Sequence, residues 1–552
     1  MTSIKDCAVK CFFLPLLLYV YFLLKMKRTT LFILSFTFCL GAFSQYLDQF
    51  QLQKLGFSLS AISKFYVDSV NQGKLTEYAI EGMLEKLDPH SSYLSPAEVK
   101  SANESLQGSF EGIGISFNMV NDTVTVIQSI TGGPAEKLGI LPGDKIIYVS
   151  DSLIAGVKMQ TSDITKRLKG KKGTKVKVKI LRDKRLIPFS IVRDKIPIYS
   201  VDAKYLIAPG IGYVKINRFA SSTHQEVMEA ISALKKKGMK SLIIDLQENG
   251  GGYLQSAIEL ADEFLDSQKL ILYTEGANQP KELFTCQKSG DFETGKLVFL
   301  VDEYSASASE ILSGAIQDWD RGLIIGRRTF GKGLVQRPLP LPDGSEIRLT
   351  VARYYTPSGR CIQRPYKEGK SKYEENILDR YKHGEFVSLD SISFPDSLRY
   401  KTLISERTVY GGGGIMPDIF VPADTTRYSK LHRELINDGI INKICLSYVD
   451  KNRKAILSKY PSFEIYDKSF DDSVIFTQLK ADADAKKINF PEGEWMKAMP
   501  LLKVQLKALI ARDLWDTNEY FEVINTKNDF VKKALEILQD NEQYNKLLKN
   551  QQ

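Results

Sequence analysis

The sequence predicts an α/β protein: a mostly parallel-sheet core, an inserted β-rich domain, and helical regions at both ends. Three observations predict it. Between about residue 205 and residue 326, short apolar runs alternate with amphipathic stretches, which is the βαβα order of a parallel core. Residues 108–195 instead carry short β-branched runs separated by Gly/Pro turns. Residues 46–103 and 426–552 repeat apolar side chains at helical spacing.

Taken in order, residues 11–24 and 30–43 are apolar and flank Lys25-Met26-Lys27-Arg28. Each run is short for a bilayer-spanning helix, which needs about 20 residues. From Met26 onward the pattern is that of a secretory signal peptide: Lys27 and Arg28, an apolar stretch Leu31–Leu40, and the small-residue site Ala42-Phe43-Ser44. Met26 is thus a candidate start, and export is expected, with residues 1–44 as leader or apolar anchor. Ile62, Tyr66 and Val70, then Tyr78, Met83 and Leu87, give residues 45–103 a helical period, broken by turns at Pro89 and Pro96. Residues 104–195 form the β-rich domain, with strands at 123–127 and 175–180 and one short helix at 161–169. In the core, 196–425, strands are expected at 212–219, 241–246, 297–301 and 323–326, and helices at 224–238, 253–265 and 308–319. Gly238 is a natural helix stop. Residues 364–409 are polar and tyrosine-rich and read as an insertion or lid; 426–552 read as helical, ending on Phe530, Leu535 and Leu538.

Composition narrows the function classes. At 552 residues, 43% hydrophobic and 26% charged, the chain can build large cores and is not disordered by composition. The net charge is +9, and removing the first 44 residues, with five basic and one acidic side chain, leaves +5. That is too mild to indicate nucleic acid. Six cysteines include three in the leader; the other three, Cys286, Cys361 and Cys445, are widely spaced and define no disulfide framework. Four histidines and no HExxH or CxxC give no metal motif, and no cofactor is expected.

The chemistry concentrates in residues 305–336, SASASEILSGAIQDWDRGLIIGRRTFGKGLVQ. A serine-rich elbow follows a buried strand and opens a helix, where free N–H groups face a developing oxyanion. Lys332 sits between two glycines. A buried lysine gives up its proton readily and can serve a serine as general base. Bland readings stand beside these: Ser307-x-x-Glu310 is also a capping box, and Lys332 a surface turn lysine. Gly326-x-x-x-x-Gly331-Lys332 imitates a phosphate-binding loop, but Gly333 replaces the magnesium-binding Ser/Thr and no helix follows. A Ser–His–Asp hydrolase lacks its GxSxG elbow here.

These residues resemble the carboxyl-terminal processing peptidases, also called tail-specific proteases, which are serine–lysine endopeptidases. The family's elbow places its nucleophile in the second-last serine, with a base lysine 25 residues on in a GKG turn and an orienting glutamine four residues further. Ser307, Lys332 and Gln336 match in type and spacing. The resemblance implies oxyanion donors at the backbone N–H groups of Gly251, in DLQENGGGYL (245–254), and Ala308. It implies that the β-rich module is a PDZ domain. GIGISF would be its carboxylate loop (Gly112, Ile113, Gly114, Ile115), and Ile164 and Leu168 on the short helix would line the groove or belong to the core. LDPHSSYL (87–94) resembles the family's N-terminal segment, with His90 a structural turn histidine. The implied function is an exported, periplasmic or cell-envelope endopeptidase acting on proteins with apolar C-termini. A non-catalytic PDZ scaffold is the alternative. An adaptor protein, a membrane tether through the N-terminus and the oligomeric state are left open.

Overall fold

The computed structural model describes residues 49–425 and 427–549 and divides into two compact units at Lys86/Leu87. The expected leader lies outside the described residues. The first unit contains helices over 49–65 and Gln72–Glu85. Asn71 starts the second by accepting the Lys74 N–H on its side chain at 3.1 Å, the usual service of an N-cap. No described helix is long and apolar enough to cross a membrane.

The second unit is built on a six-stranded sheet. Its order is Val201–Ala208, Ile211–Ile216, Ser241–Asp245, Leu297–Val301, Leu323–Gly326 and Ile419–Phe420. The first pair is antiparallel and the other four are parallel. LVFLV and LIIG are buried along their whole length, as strands covered on both faces must be. Helices Thr223–Lys236, Leu254–Asp262 and Ala308–Asp318 cover one face through Val227, Ala257, Leu312 and Ile316. The other face is covered by the end of the chain. Helix Asp529–Gln539 sets Phe530, Val531, Ala534 and Ile537 against Tyr213, Ile243, Val298 and Ile325. The region 426–552 therefore splits. Helices from Lys430 to Ile524 enclose a core of their own, whereas the last two complete the sheet's third layer.

Everywhere else among the described residues the strands pair antiparallel, against the mostly parallel core expected. A second sheet joins Ser92–Leu94, Glu346–Tyr355, Leu270–Gly276 and Gln279–Thr285, with Leu334–Pro340 also on Glu346–Tyr355. The PDZ sheet runs through Ile115–Val120, Thr123–Ser129, Lys145–Val149, Lys175–Arg182 and Arg185–Val192. Two of its hairpins turn at Asn121-Asp122 and Asp183-Lys184, whose four φ angles are all positive, as type I′ hairpin turns require. Neither turn contains glycine, so neither carried the usual hairpin signal.

If the last helices are structural, Ile537→Ala, at a site 1% exposed, should destabilise the protease core by about 2–5 kcal/mol. The midpoint of urea unfolding measures this; a shift below about 0.5 kcal/mol would mean the helix is ornamental.

Candidate active site

The three serines of SASASE have three different surroundings. Ser305 is fully buried; its hydroxyl donates to the Leu246 carbonyl at 2.8 Å and accepts from the Asp302 amide at 2.9 Å. Ser309, also fully buried, donates to the Asn249 carbonyl at 2.9 Å. Ser307 instead lines an open cavity of about 410 Å³. Its backbone sits at φ 54°, ψ −112°, a strained turn for a side-chain-bearing residue. Such geometry costs about 1–3 kcal/mol and survives only where neighbours over-determine it.

Those neighbours are Glu310 and Tyr354, both fully buried. Glu310 Oε2 accepts from the Ser307 N–H and from the Lys332 N–H, each at 2.9 Å. Its Oε1 accepts from the Thr329 hydroxyl at 2.5 Å and the Gly331 N–H at 2.7 Å. The capping contact expected from the sequence is present, and the same carboxylate binds the lysine turn. Tyr354 works from the carbonyl side: its hydroxyl reaches the Lys332 carbonyl at 2.6 Å and the Ser307 carbonyl at 3.2 Å. The turn is tight. A Cβ on Gly333 would come 2.9 Å from the Gln363 amide nitrogen, while Gln363 Oε1 accepts the Gly333 N–H at 2.8 Å.

The 364–409 stretch packs behind this turn. Arg380, on helix Lys370–Lys382, donates to the carbonyls of Arg328 (2.7 Å) and Thr329 (3.0 Å). Arg364 stacks on Phe330 and Tyr373 at 4.0 and 3.8 Å. His90 meets Tyr373 through Nε2 at 2.8 Å; burial, with the nearby Lys332 charge, lowers its pKa to about 4. It is thereby kept neutral near pH 7.

Lys332 and Gln336 line the same cavity as Ser307, with Leu106, Leu254, Ile311, Leu334 and Val335 as apolar wall. Burial pushes the Lys332 amine below its ordinary range, more than the Glu310 and Asp88 charges push it back; Arg348 adds to the lowering. Burial likewise lifts Glu310, to about 7, against the hydrogen bonds it accepts. Gln336 donates through Nε2 to Thr350 Oγ1 at 3.3 Å.

The glycine loop lies against the elbow. A Cβ on Gly251, whose φ is 97°, would fall 2.7 Å from the Ala306 carbonyl oxygen and 2.9 Å from Ser307 Cβ. Ala308 opens its helix, so that helix offers its N–H no partner. The Gly251 N–H, expected beside it as an oxyanion donor, instead donates to Asn249 Oδ1 at 2.9 Å; Gly250 and Gly252 are the glycines that line the cavity. In the PDZ domain, Gly112 and Ile113 are buried, Gly114 turns at φ 78°, and Ile115 begins an edge strand. Ile164 and Leu168 are 0% and 4% exposed and belong to the domain's interior with Ile113 and Val124. They offer a ligand little surface.

Family models match along the chain: peptidase family S41 over 210–368, a PDZ domain over 112–192, and the N-terminal domain of the activating protease CtpB over 42–97. A family of unknown function matches 431–516. The carboxy-terminal processing protease CtpA of Bacillus subtilis is 36% identical over 337 residues, 61% of this chain and 72% of its own. The carboxy-terminal-processing protease of Bartonella bacilliformis is 37% identical over 321 residues, 57% of this chain and 73% of its own. The solved photosystem II D1 C-terminal processing protease is 29% identical, with a TM-score of 0.32 over 55% of this chain and 88% of that one. Fold and site thus define a serine-type peptidase carrying a PDZ domain. The chain belongs to the carboxy-terminal processing proteases of peptidase family S41.

Glu310→Gln tests the junction. A glutamine must turn its NH₂ arm toward one pair of donors, which leaves a buried N–H unanswered at about 1–3 kcal/mol. Activity should fall at least about tenfold, since a small displacement of reacting groups is costly. The folded group binds its proton more readily than the unfolded one, whose pKa is near 4.5. Its contribution to stability is therefore complete below about pH 4.5 and is lost as pH rises through about 7. Denaturant midpoints measured from pH 4 to 8 should show that loss in wild type and not in Glu310→Gln.

Proposed function

We propose that this chain is an exported serine endopeptidase that captures protein C-terminal tails through its PDZ domain and cleaves them with a Ser307–Lys332 dyad. One observation carries the reading: of the three elbow serines, Ser307 alone opens onto the cavity that holds an amine pushed toward neutrality by burial. The edge strand Ile115–Val120 and the loop ahead of it offer backbone groups to an extended peptide. The apolar wall of the cavity suits an apolar side chain next to the scissile bond.

In this mechanism neutral Lys332 takes the Ser307 proton as the hydroxyl oxygen attacks the carbonyl carbon. Gln336 orients the amine. The oxyanion is held by the Ala308 N–H and by the Gly251 N–H once it exchanges Asn249 for substrate. Lys332 returns the proton to the leaving amine, and water releases the acyl group by the reverse sequence. The leader pattern in residues 1–44 supports action in the cell envelope.

Wild type, Ser307→Ala and Lys332→Ala are incubated with candidate envelope proteins, and new C-termini are mapped by mass. Both variants should be inactive while keeping the wild-type unfolding midpoint; cleavage retained by either would sink the dyad. Because the base must be neutral, wild-type kcat/KM should rise with pH, with a midpoint below the ordinary lysine value of 10.5.

A further inference from the structure

The segment just before the PDZ domain returns to the protease core. Ser92–Leu94 pairs antiparallel with the start of strand Glu346–Tyr355. This brings Asp88, 8% exposed, beside Thr350. Asp88 Oδ1 accepts from the amides of His90 (2.8 Å) and Ser91 (2.9 Å) and from the Thr350 hydroxyl (3.0 Å). Its Oδ2 accepts from the Ser91 hydroxyl at 2.5 Å, and the Ser91 hydroxyl oxygen in turn accepts the Thr350 N–H at 3.0 Å. Burial opposes the charge on Asp88, but these hydrogen bonds outweigh it and hold the carboxyl below its ordinary range. Across the hairpin Thr350 stands opposite Gln336 and meets its Nε2.

The chain of donors has only one consistent direction. A carboxylate accepts and never donates, and a hydroxyl has one proton. Thr350 must therefore give its proton to Asp88 and turn a lone pair to Gln336. Only the NH₂ arm of the Gln336 amide can answer a lone pair. Its carbonyl oxygen is left for the cavity shared with Lys332. With the amide reversed, the NH₂ arm would donate into the amine lone pair that has to receive the serine proton.

We propose that Asp88, acting through Thr350, fixes the polarity of the Gln336 amide and so orients Lys332 as the base. Asp88 is a positioning residue, and the proposal rests on the serine–lysine reading. Its charge has a second effect. The charged groups around Lys332 are Glu310, Asp88 and Arg348, with His90 close by and Glu346, paired with Arg348 at 2.9 Å, on the same cavity wall. Among them Asp88 favours the protonated amine, so loss of its charge lowers the Lys332 pKa.

The test measures kcat, KM and the pH profile on one unfolded protein substrate, with Ser307→Ala and Lys332→Ala alongside. Thr350→Val keeps the shape and removes the relay. It should lower kcat about 10- to 100-fold with KM little changed, and Thr350→Ser should restore it. In a Gln336→Ala background, Thr350→Val should have no further effect, because its target is gone. Asp88→Asn can still accept from Thr350 but is uncharged; the acidic limb of kcat/KM should move to lower pH. Wild-type kcat in Thr350→Val or an additive loss in the double variant would each overturn the proposal while the two dyad variants stay inactive, and an unmoved limb in Asp88→Asn would overturn the charge effect. Activity in Lys332→Ala would overturn it together with the dyad. Should Thr350→Val fail to fold, Thr350→Ala removes the same hydroxyl without added bulk and carries the same prediction.

Discussion

One buried carboxylate holds the site together. Glu310 joins the amide of a strained serine to the amides of a glycine-flanked lysine turn, adding to the single backbone bond by which the Phe330 N–H reaches the Ser305 carbonyl at 3.0 Å. Four donors on two oxygens is close to the accepting capacity of a carboxylate. Removing any of them would leave a buried polar group unpaired, which is why the strain at Ser307 persists. The same charge acts on chemistry in the opposite sense. It favours protonated Lys332, whereas burial favours the neutral amine, and burial dominates. In the proposed dyad Glu310 would supply the geometry and the dry surroundings would offset its charge.

The rest of the architecture serves that junction from behind. Strand Leu297–Val301 delivers the elbow because helices cover both faces of its sheet, and one cover is the final helix pair of the chain. The lysine turn is braced by Arg380, from a stretch whose polarity alone suggested a lid. An arginine only 3% exposed in such a stretch is the mark of a bracing role, since a long charged side chain is seldom buried without fixed partners. A buried pair, Arg360 with Asp318 at 2.7 Å, ties the far end of the elbow helix to the turn after strand Glu346–Tyr355.

What could be read in the sequence was what is local in the chain. The elbow, the GKG turn and the strands LVFLV and LIIG are short patterns, and each names its own environment. Glu310 was visible only as a cap. An acid in the first turn of a helix that is buried throughout was the available sign that it does more. Thr350 and Tyr354 carried no sign, because their partners lie 14 to 262 residues away in the chain, and Asp88 showed only its local turn with His90 and Ser91. Ile164 and Leu168 show the limit of helical spacing. The i, i+4 pair correctly marks one face of the short helix, but the face turns to the domain interior. The division of the C-terminal region was equally hidden, since an apolar stripe says that a helix is covered and not what covers it.

The two expected oxyanion donors are not equivalent, and the difference bears on how the proposed reaction would be timed. Ala308 belongs to the first turn of a buried helix and is fixed. Gly251 belongs to a loop whose amide is satisfied by Asn249, itself fully buried and anchored through Nδ2 to the Ile216 carbonyl at 2.9 Å. A neutral amide–amide hydrogen bond contributes about 0.5–1.5 kcal/mol net, and a bond to a charged acceptor about 1.5–3 kcal/mol. A neutral substrate carbonyl therefore gains little by taking the Gly251 N–H from Asn249, whereas a full oxyanion gains by it. In the proposed reaction the donor would be recruited as charge develops, and its binding energy would fall on the transition state and not on the bound substrate, which is the condition for a gain in kcat. Glycine at 251 is what permits this: a side chain there would collide with Ser307 and hold the loop away from the elbow it must reach.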